Sequence, residues 1–126
     1  MLYTVRGLKQ GVGGVDIRVR VVSKEPQRKV KTKDGVEHIV VDARVGDRTG
    51  AVVMALWDDL TDEVGEGDVI DIQNGYVNRF KGRLRLNLSR YGHVKKIEDP
   101  HFPTVREIVE GEERKKQWRK ATFGKS

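Results

Sequence analysis

The feature that most limits what this chain can become is a strict period-two run. Between Val15 and Val21, Val and Ile fill every second position while Asp16, Arg18 and Arg20 fall between them. An extended strand with one buried and one wet face sorts residues this way, because successive side chains point to opposite sides. Similar signatures follow along the chain. Glu37 to Val45 reads as a second strand. In a third, Val52, Met54 and Leu56 alternate with Val53, Ala55 and Trp57. A fourth starts at Asp68 and carries Val69, Ile70 and Ile72. In a fifth, Leu84, Leu86 and Leu88 point inward while Arg83, Arg85 and Asn87 point outward.

Turn signals separate these runs. Pro26 interrupts the first ladder, and a basic arm of Arg28, Lys29, Lys31 and Lys33 leads into Asp34-Gly35, a pair suited to a hairpin. Asp47-Arg48-Thr49-Gly50 makes the next turn. Asp58-Asp59 can cap a short helical turn through Val64, ended by Gly65 and Gly67. Gly75 marks a bulge, and Lys81-Gly82 the last hairpin. Five strands with a short helix between the third and fourth predict an all-β fold, a Greek-key OB-fold barrel whose closure removes exposed edges.

After Pro100 and Pro103 the pattern becomes helical. Val105, Ile108 and Val109 share a face, Thr104 is the cap, and Gly111 weakens the middle. Glu112 to Ser126, rich in Lys and Arg, reads as a flexible tail. The expected organisation is an OB domain over 1–99 and a C-terminal helix with basic tail over 100–126. With 126 residues and 37% hydrophobic content, the chain can build one modest core.

Charge and composition narrow the function. Lys plus Arg number 25 against 19 Asp plus Glu, a net +6, which points to a polyanionic partner or to a heavily solvated surface. The absence of cysteine removes disulfides, thiolate nucleophiles and cysteine-based zinc sites, and the scattered His38, His93 and His101 do not replace them, so no cofactor is expected. No apolar run approaches the roughly 20 residues of a membrane span, and no signal peptide is visible, which predicts a soluble, cytoplasmic protein without membrane contact. High charge without Cys and with few Asn or Gln matches thermophile usage.

Catalysis finds little support. Asp58-Asp59 and Asp62-Glu63 are close carboxylate pairs, and both sit where caps and turns place acids. Gly11-Val12-Gly13-Gly14 is too short for a dinucleotide fingerprint and precedes a strand, and no Gly-x-x-x-x-Gly-Lys-Ser/Thr loop occurs. The chain is expected not to be an enzyme.

The residues that stand out are aromatic. By alternation Trp57 lies opposite to Val52, Met54 and Leu56, on the outer face of a barrel strand. Water disfavours it there unless something covers it, and the flat face of a nucleobase does so for about 1 to 3 kcal/mol whatever the base. Tyr76 and Phe80 flank the last hairpin, with Arg79, Lys81, Arg83, Arg85 and Asn87 beside them as backbone contacts. The arm carrying Lys24, Arg28, Lys31 and Lys33 falls in one of the two loops that oligonucleotide-binding OB-folds close over their ligand. The competing readings are that Trp57 and Tyr76 plug a barrel end or lie under the C-terminal helix, and that the basic arm is a charged edge that prevents aggregation.

Thr32-Lys33-Asp34-Gly35, Val45 to Gly50, Leu56-Trp57-Asp58-Asp59, Gly67 to Ile70 and Asn74-Gly75-Tyr76 followed by Phe80-Lys81-Gly82 occur in a telling order. Over about residues 3 to 97 the chain resembles the simple single-OB single-stranded DNA-binding proteins, of the crenarchaeal SSB and SOSS-complex B-subunit type. The resemblance implies an OB barrel, bases stacked on Trp57, Tyr76 and Phe80, and a role on single-stranded DNA in replication, recombination and repair. It would also place an archaeal member at the nucleoid. Where crenarchaeal members carry Trp at the middle position, this chain has Tyr76. Their Gly- and Arg-rich tail with acidic residues gives way here to Arg114-Lys115-Lys116-Gln117-Trp118-Arg119-Lys120, which could extend the nucleic-acid footprint or dock repair or replication proteins. Single-stranded RNA, or a role as an assembly module within a larger complex, are the alternatives.

Overall fold

In the computed structural model, which describes residues 2–123, the alternating run becomes strand β2 (Val15–Lys24), preceded by the short strand β1 (Leu2–Tyr3) and a 3-10 turn at Val5–Gly7. Val15, Ile17, Val19 and Val21 are completely buried, and the residues between them are half-exposed. The chain continues through β3 (Arg28–Lys31), β4 (Glu37–Asp47), β5 (Gly50–Trp57), the single helical turn α1 (Leu60–Glu63), β6 (Val69–Phe80), β7 (Arg83–Ile97) and the long helix α2 (Val105–Phe123). Met54, Leu56, Ile70, Ile72 and Leu86 fill the interior with the Val and Ile row of β2. Each such side chain removed from water stabilises the fold by about 1.5–3 kcal/mol.

The strands form one sheet in the order β1-β2-β6-β7-β5-β4-β3, and a further pairing of β2 with β4 closes the ring. Among the described residues there are seven strands where five are expected. The two extra ones are too short to show a period. The two residues of β1 add parallel to β2, Leu2 opposite Asp16, and the four of β3 fold back on the start of β4. The connection there encloses Lys33 to Gly35: Thr32 N donates to Val36 O at 3.0 Å and Gly35 adopts φ +82°, so the hairpin turns on three residues, longer than the two-residue turn that Asp-Gly favours.

Helix placement also differs from expectation. The helical turn starts at Leu60, between β5 and β6, and Asp59 at its N-cap makes no side-chain cap bond. Asp58, in a left-handed conformation (φ +51°), turns its carboxylate back to β4, where it accepts from Ile39 N at 3.1 Å. Helix α2 runs unbroken through Gly111 and takes in most of the expected flexible tail, while residues 124–126 lie outside the described residues. Glu, Arg, Lys and Gln beyond Gly111 are good helix formers and outweigh the roughly 1 kcal/mol cost of one glycine. The start of α2 carries a reciprocal cap: Glu107 N donates to Thr104 Oγ1 at 3.1 Å, and Thr104 N to Glu107 Oε1 at 3.0 Å. These bonds hold the Glu107 carboxyl below the usual carboxylate range. The helix docks through Ile108, which is buried, and only because residue 46 is glycine: a Cβ there would stand 2.7 Å from Ile108 Cγ2. Val109, expected on the buried face, is instead exposed, since the helix meets the barrel along a narrow strip.

Candidate nucleic-acid interface

Side chains directly opposite one another on paired strands share a face. β7 lies between β5, where Val53 is opposite Arg85, and β6, where Tyr76, Asn78 and Phe80 are opposite Asn87, Arg85 and Arg83. One outer face of the barrel therefore collects Trp57 from β5 with Tyr76 and Phe80 from β6, and β7 runs between them. All three rings are exposed, to 40%, 40% and 52%. Tyr76 and Phe80 are four residues apart on one strand, roughly 13 Å, and Trp57 stands two strand spacings away, roughly 10 Å across the sheet. Helix α2 docks on the opposite end of β5, around Gly46 and Gly50, and leaves Trp57 and Tyr76 uncovered. A bulge between Gln73 and Gly75, with Asn74 at φ +60°, re-aims the strand just before Tyr76. At the far end Lys81 and Gly82, both at positive φ, make the two-residue turn that carries β6 into β7.

The expected cations separate into groups. Lys81 Nζ lies 5.4 Å from the Phe80 ring centroid and the Arg85 guanidinium 5.0 Å from it. Arg83, exposed, faces Phe80 across the strand pair. Arg85 is itself engaged: its Nη2 is 2.5 Å from Asp42 Oδ2 and its side chain is only 15% exposed, so it braces the Phe80 ring more than it offers a free charge. Asn87 Nδ2 donates to Asn78 Oδ1 at 3.1 Å on the same face. Arg79 is not beside the aromatics. It falls on the alternate side of β6 and is held by Gln10 Oε1 and Gly82 O, both at 3.1 Å.

The basic arm divides in the same way. Arg28 pairs across from Val40, which in turn pairs across from Trp57, so Arg28 joins the aromatic row and reaches Asp42 Oδ1 at 3.3 Å. Lys31, opposite Glu37, is on the reverse side of the ribbon, and Lys33 is in the turn. Lys24 is spent on structure: its Nζ donates to Thr61 O at 2.5 Å and Val64 O at 2.7 Å, closing the end of α1.

Two residues of this face escaped the sequence reading. His38 stands edge-on to Trp57, 5.6 Å between centroids at 75°, and its Nδ1 is 2.7 Å from Asp58 Oδ2. That contact, with the Ile39 amide, holds the Asp58 carboxyl below its usual range. Asp42 binds both Arg28 and Arg85. No local pattern announces either residue, since both depend on the β4–β5 register. Among the described residues no group of three or more His, Cys, Asp or Glu could hold a metal ion, and no helix is long and apolar enough to cross a membrane.

The family described as single-stranded DNA binding protein Ssb-like, OB fold, matches residues 8–96. The chain is similar to the single-stranded DNA binding protein Ssb of Saccharolobus solfataricus, 34% identical over 106 residues that span 84% of this chain and 71% of that protein. Among solved structures it is similar to the second OB-fold domain of replication protein A from Methanococcus maripaludis, with a TM-score of 0.65 and 27% identity, covering 79% of this chain and 97% of that one. Schizosaccharomyces pombe Pot1pC bound to ssDNA shares the fold, with a TM-score of 0.64 at 14% identity over 90% of this chain and 98% of that one.

Proposed function

The chain belongs to the Ssb-like OB-fold family of single-stranded DNA-binding proteins, and from that premise we propose that it binds single-stranded DNA with little regard to sequence. The observation that carries this reading is the exposure of Trp57, Tyr76 and Phe80 on one outer face, with cations at its margins. Every base has a flat face, so stacking on these rings gains affinity without reading identity. On this reading Lys81, Arg83 and Arg28 neutralise phosphates. Arg85, fixed by Asp42, keeps the Phe80 ring upright, and His38 buttresses Trp57. The activity is binding without a chemical step, and the role that follows is to cover strands exposed during replication, recombination and repair.

The test uses the two tryptophans. Trp118→Phe leaves Trp57 as the sole reporter, and titration with single-stranded DNA should quench its emission strongly while duplex DNA does not. Affinity should fall with salt at a log-log slope of about −0.7 per phosphate contacted. Binding without quenching would remove Trp57 from the interface, and tighter binding of a matched RNA would reassign the ligand.

A further inference from the structure

A second cationic surface begins where the aromatic face ends. A cleft of about 900 Å³ lies between the 3-10 turn, the β4–β5 turn and α2, lined by Arg6, Arg48, Arg114, Lys115 and Arg119 against a single carboxylate, Glu112, with Trp118 at its rim. A neighbouring groove of about 510 Å³ shares Arg6 and Arg119 with it and adds Arg44 and Arg83. Arg83 is the residue opposite Phe80, so the two grooves and the aromatic face form one continuous path around the end of β5. Among the described residues none of these seven cations has a carboxylate within the 4.0 Å of an ion pair. Lys115 donates to Thr49 O, which ties α2 down at this point and fixes the wall of the cleft.

So much positive charge held together without an ion-pair partner repels itself and is relieved by an anion from outside. The opposite flank of α2 carries less free positive charge: there Glu113 pairs with Lys116 at 3.6 Å, and Arg44 and Arg83 share the groove with Glu112. An anionic chain leaving Phe80 is therefore drawn along the Arg119 flank. We propose that the groove between α2 and the barrel, from Arg83 past Arg119 and Arg6 to Arg114, is a second binding segment for the phosphate backbone of the strand held on the aromatic face. This deepens the proposed function and rests on it for the identity of the strand. Continuity with the aromatic row favours nucleic acid over an acidic protein segment.

The experiment compares oligothymidylates of about 5 and about 15 nucleotides, within the range a single OB-fold covers, on the full chain and on an Arg6→Gln/Arg114→Gln/Arg119→Gln variant. Gln is a good helix former and the two helical positions are exposed, so α2 persists, which circular dichroism confirms. For the longer strand the variant should bind about 10- to 100-fold more weakly at 0.1 M salt, with a salt slope shallower by about 2, because each lost phosphate contact removes about 0.7. The shorter strand should bind both proteins within twofold. Equal losses on both lengths, or none on the longer, overturn the groove, and the latter result turns attention to an acidic protein segment. A longer strand that binds through these arginines while Trp57 stays unquenched would keep the groove and refute the aromatic reading instead.

Discussion

The outward row of β2 is Asp16, Arg18 and Arg20, and that of β6 is Tyr76, Asn78 and Phe80. Both lie on the outside of one barrel, yet the chain treats them oppositely. On β2 the charges are consumed. Arg18 holds Asp71 at 2.6 Å and Asp99 at 2.9 Å, and Arg20 donates to the carbonyls of Pro103 and Gly67, both at 2.6 Å, and of Phe102 at 3.4 Å. These contacts lay the segment before α2 across the strand. On the β5–β7–β6 face no later segment among the described residues is laid across the rings: Lys81 and Arg85 flank Phe80, His38 stands edge-on to Trp57, and Asp42 holds Arg28 and Arg85. Outward arginine thus serves structure where a later segment returns to meet it. Exposed aromatics remain where the fold leaves a flat surface for something else.

The contrast can be broken most forcefully at Arg20. Arg20→Ala strips three carbonyls of a charged donor and should cost about 1.5–3 kcal/mol of stability in urea unfolding, with affinity for a short single strand unchanged. A matching loss of affinity would mean that the two faces are not separate. Trp57→Ala should do the reverse, costing about 1–3 kcal/mol of binding, about 5- to 150-fold, for every base composition. Its stability should stay within about 0.5 kcal/mol.

Acid supplies the smallest effect. Burial opposes ionisation of Asp99, but the bonds from Arg18 and from the His101 amide outweigh it and hold its carboxyl below the ordinary range. The unfolded chain then binds this proton at higher pH than the folded one. The contribution is complete above the ordinary aspartate pKa, about 3.9, and is lost as pH falls through the lower folded value. Asp99→Asn should flatten that acid limb in unfolding curves taken between about pH 5 and 2. An unaltered limb would show that the Arg18 pair does not hold the linker.

Much of this was open to reading along the chain. The period-two run of β2 names its buried row, the outward position of Trp57 follows from Val52, Met54 and Leu56, and Thr104 announces the cap of α2. Strands β1 and β3 escaped because two and four residues cannot display a period. The unbroken course of α2 escaped because Gly111 weakens the middle and the Lys- and Arg-rich residues beyond it read as a flexible tail, although those residues favour a helix. Within the site, Arg79 and Lys24 looked like Arg83 in sequence, and only their partners at Gln10, Thr61 and Val64 set them apart.

Alternation, turn chemistry and caps act between residues a few positions apart, so the amino-acid sequence by itself determined which face of β2, β5 and β7 enters the core and that Trp57 points away from it. The tertiary structure decided which charges are free. Arg18 meets Asp99 81 positions away and Arg85 meets Asp42 across the closed ring, and such pairs exist only once strand register has brought distant segments to within hydrogen-bond distance.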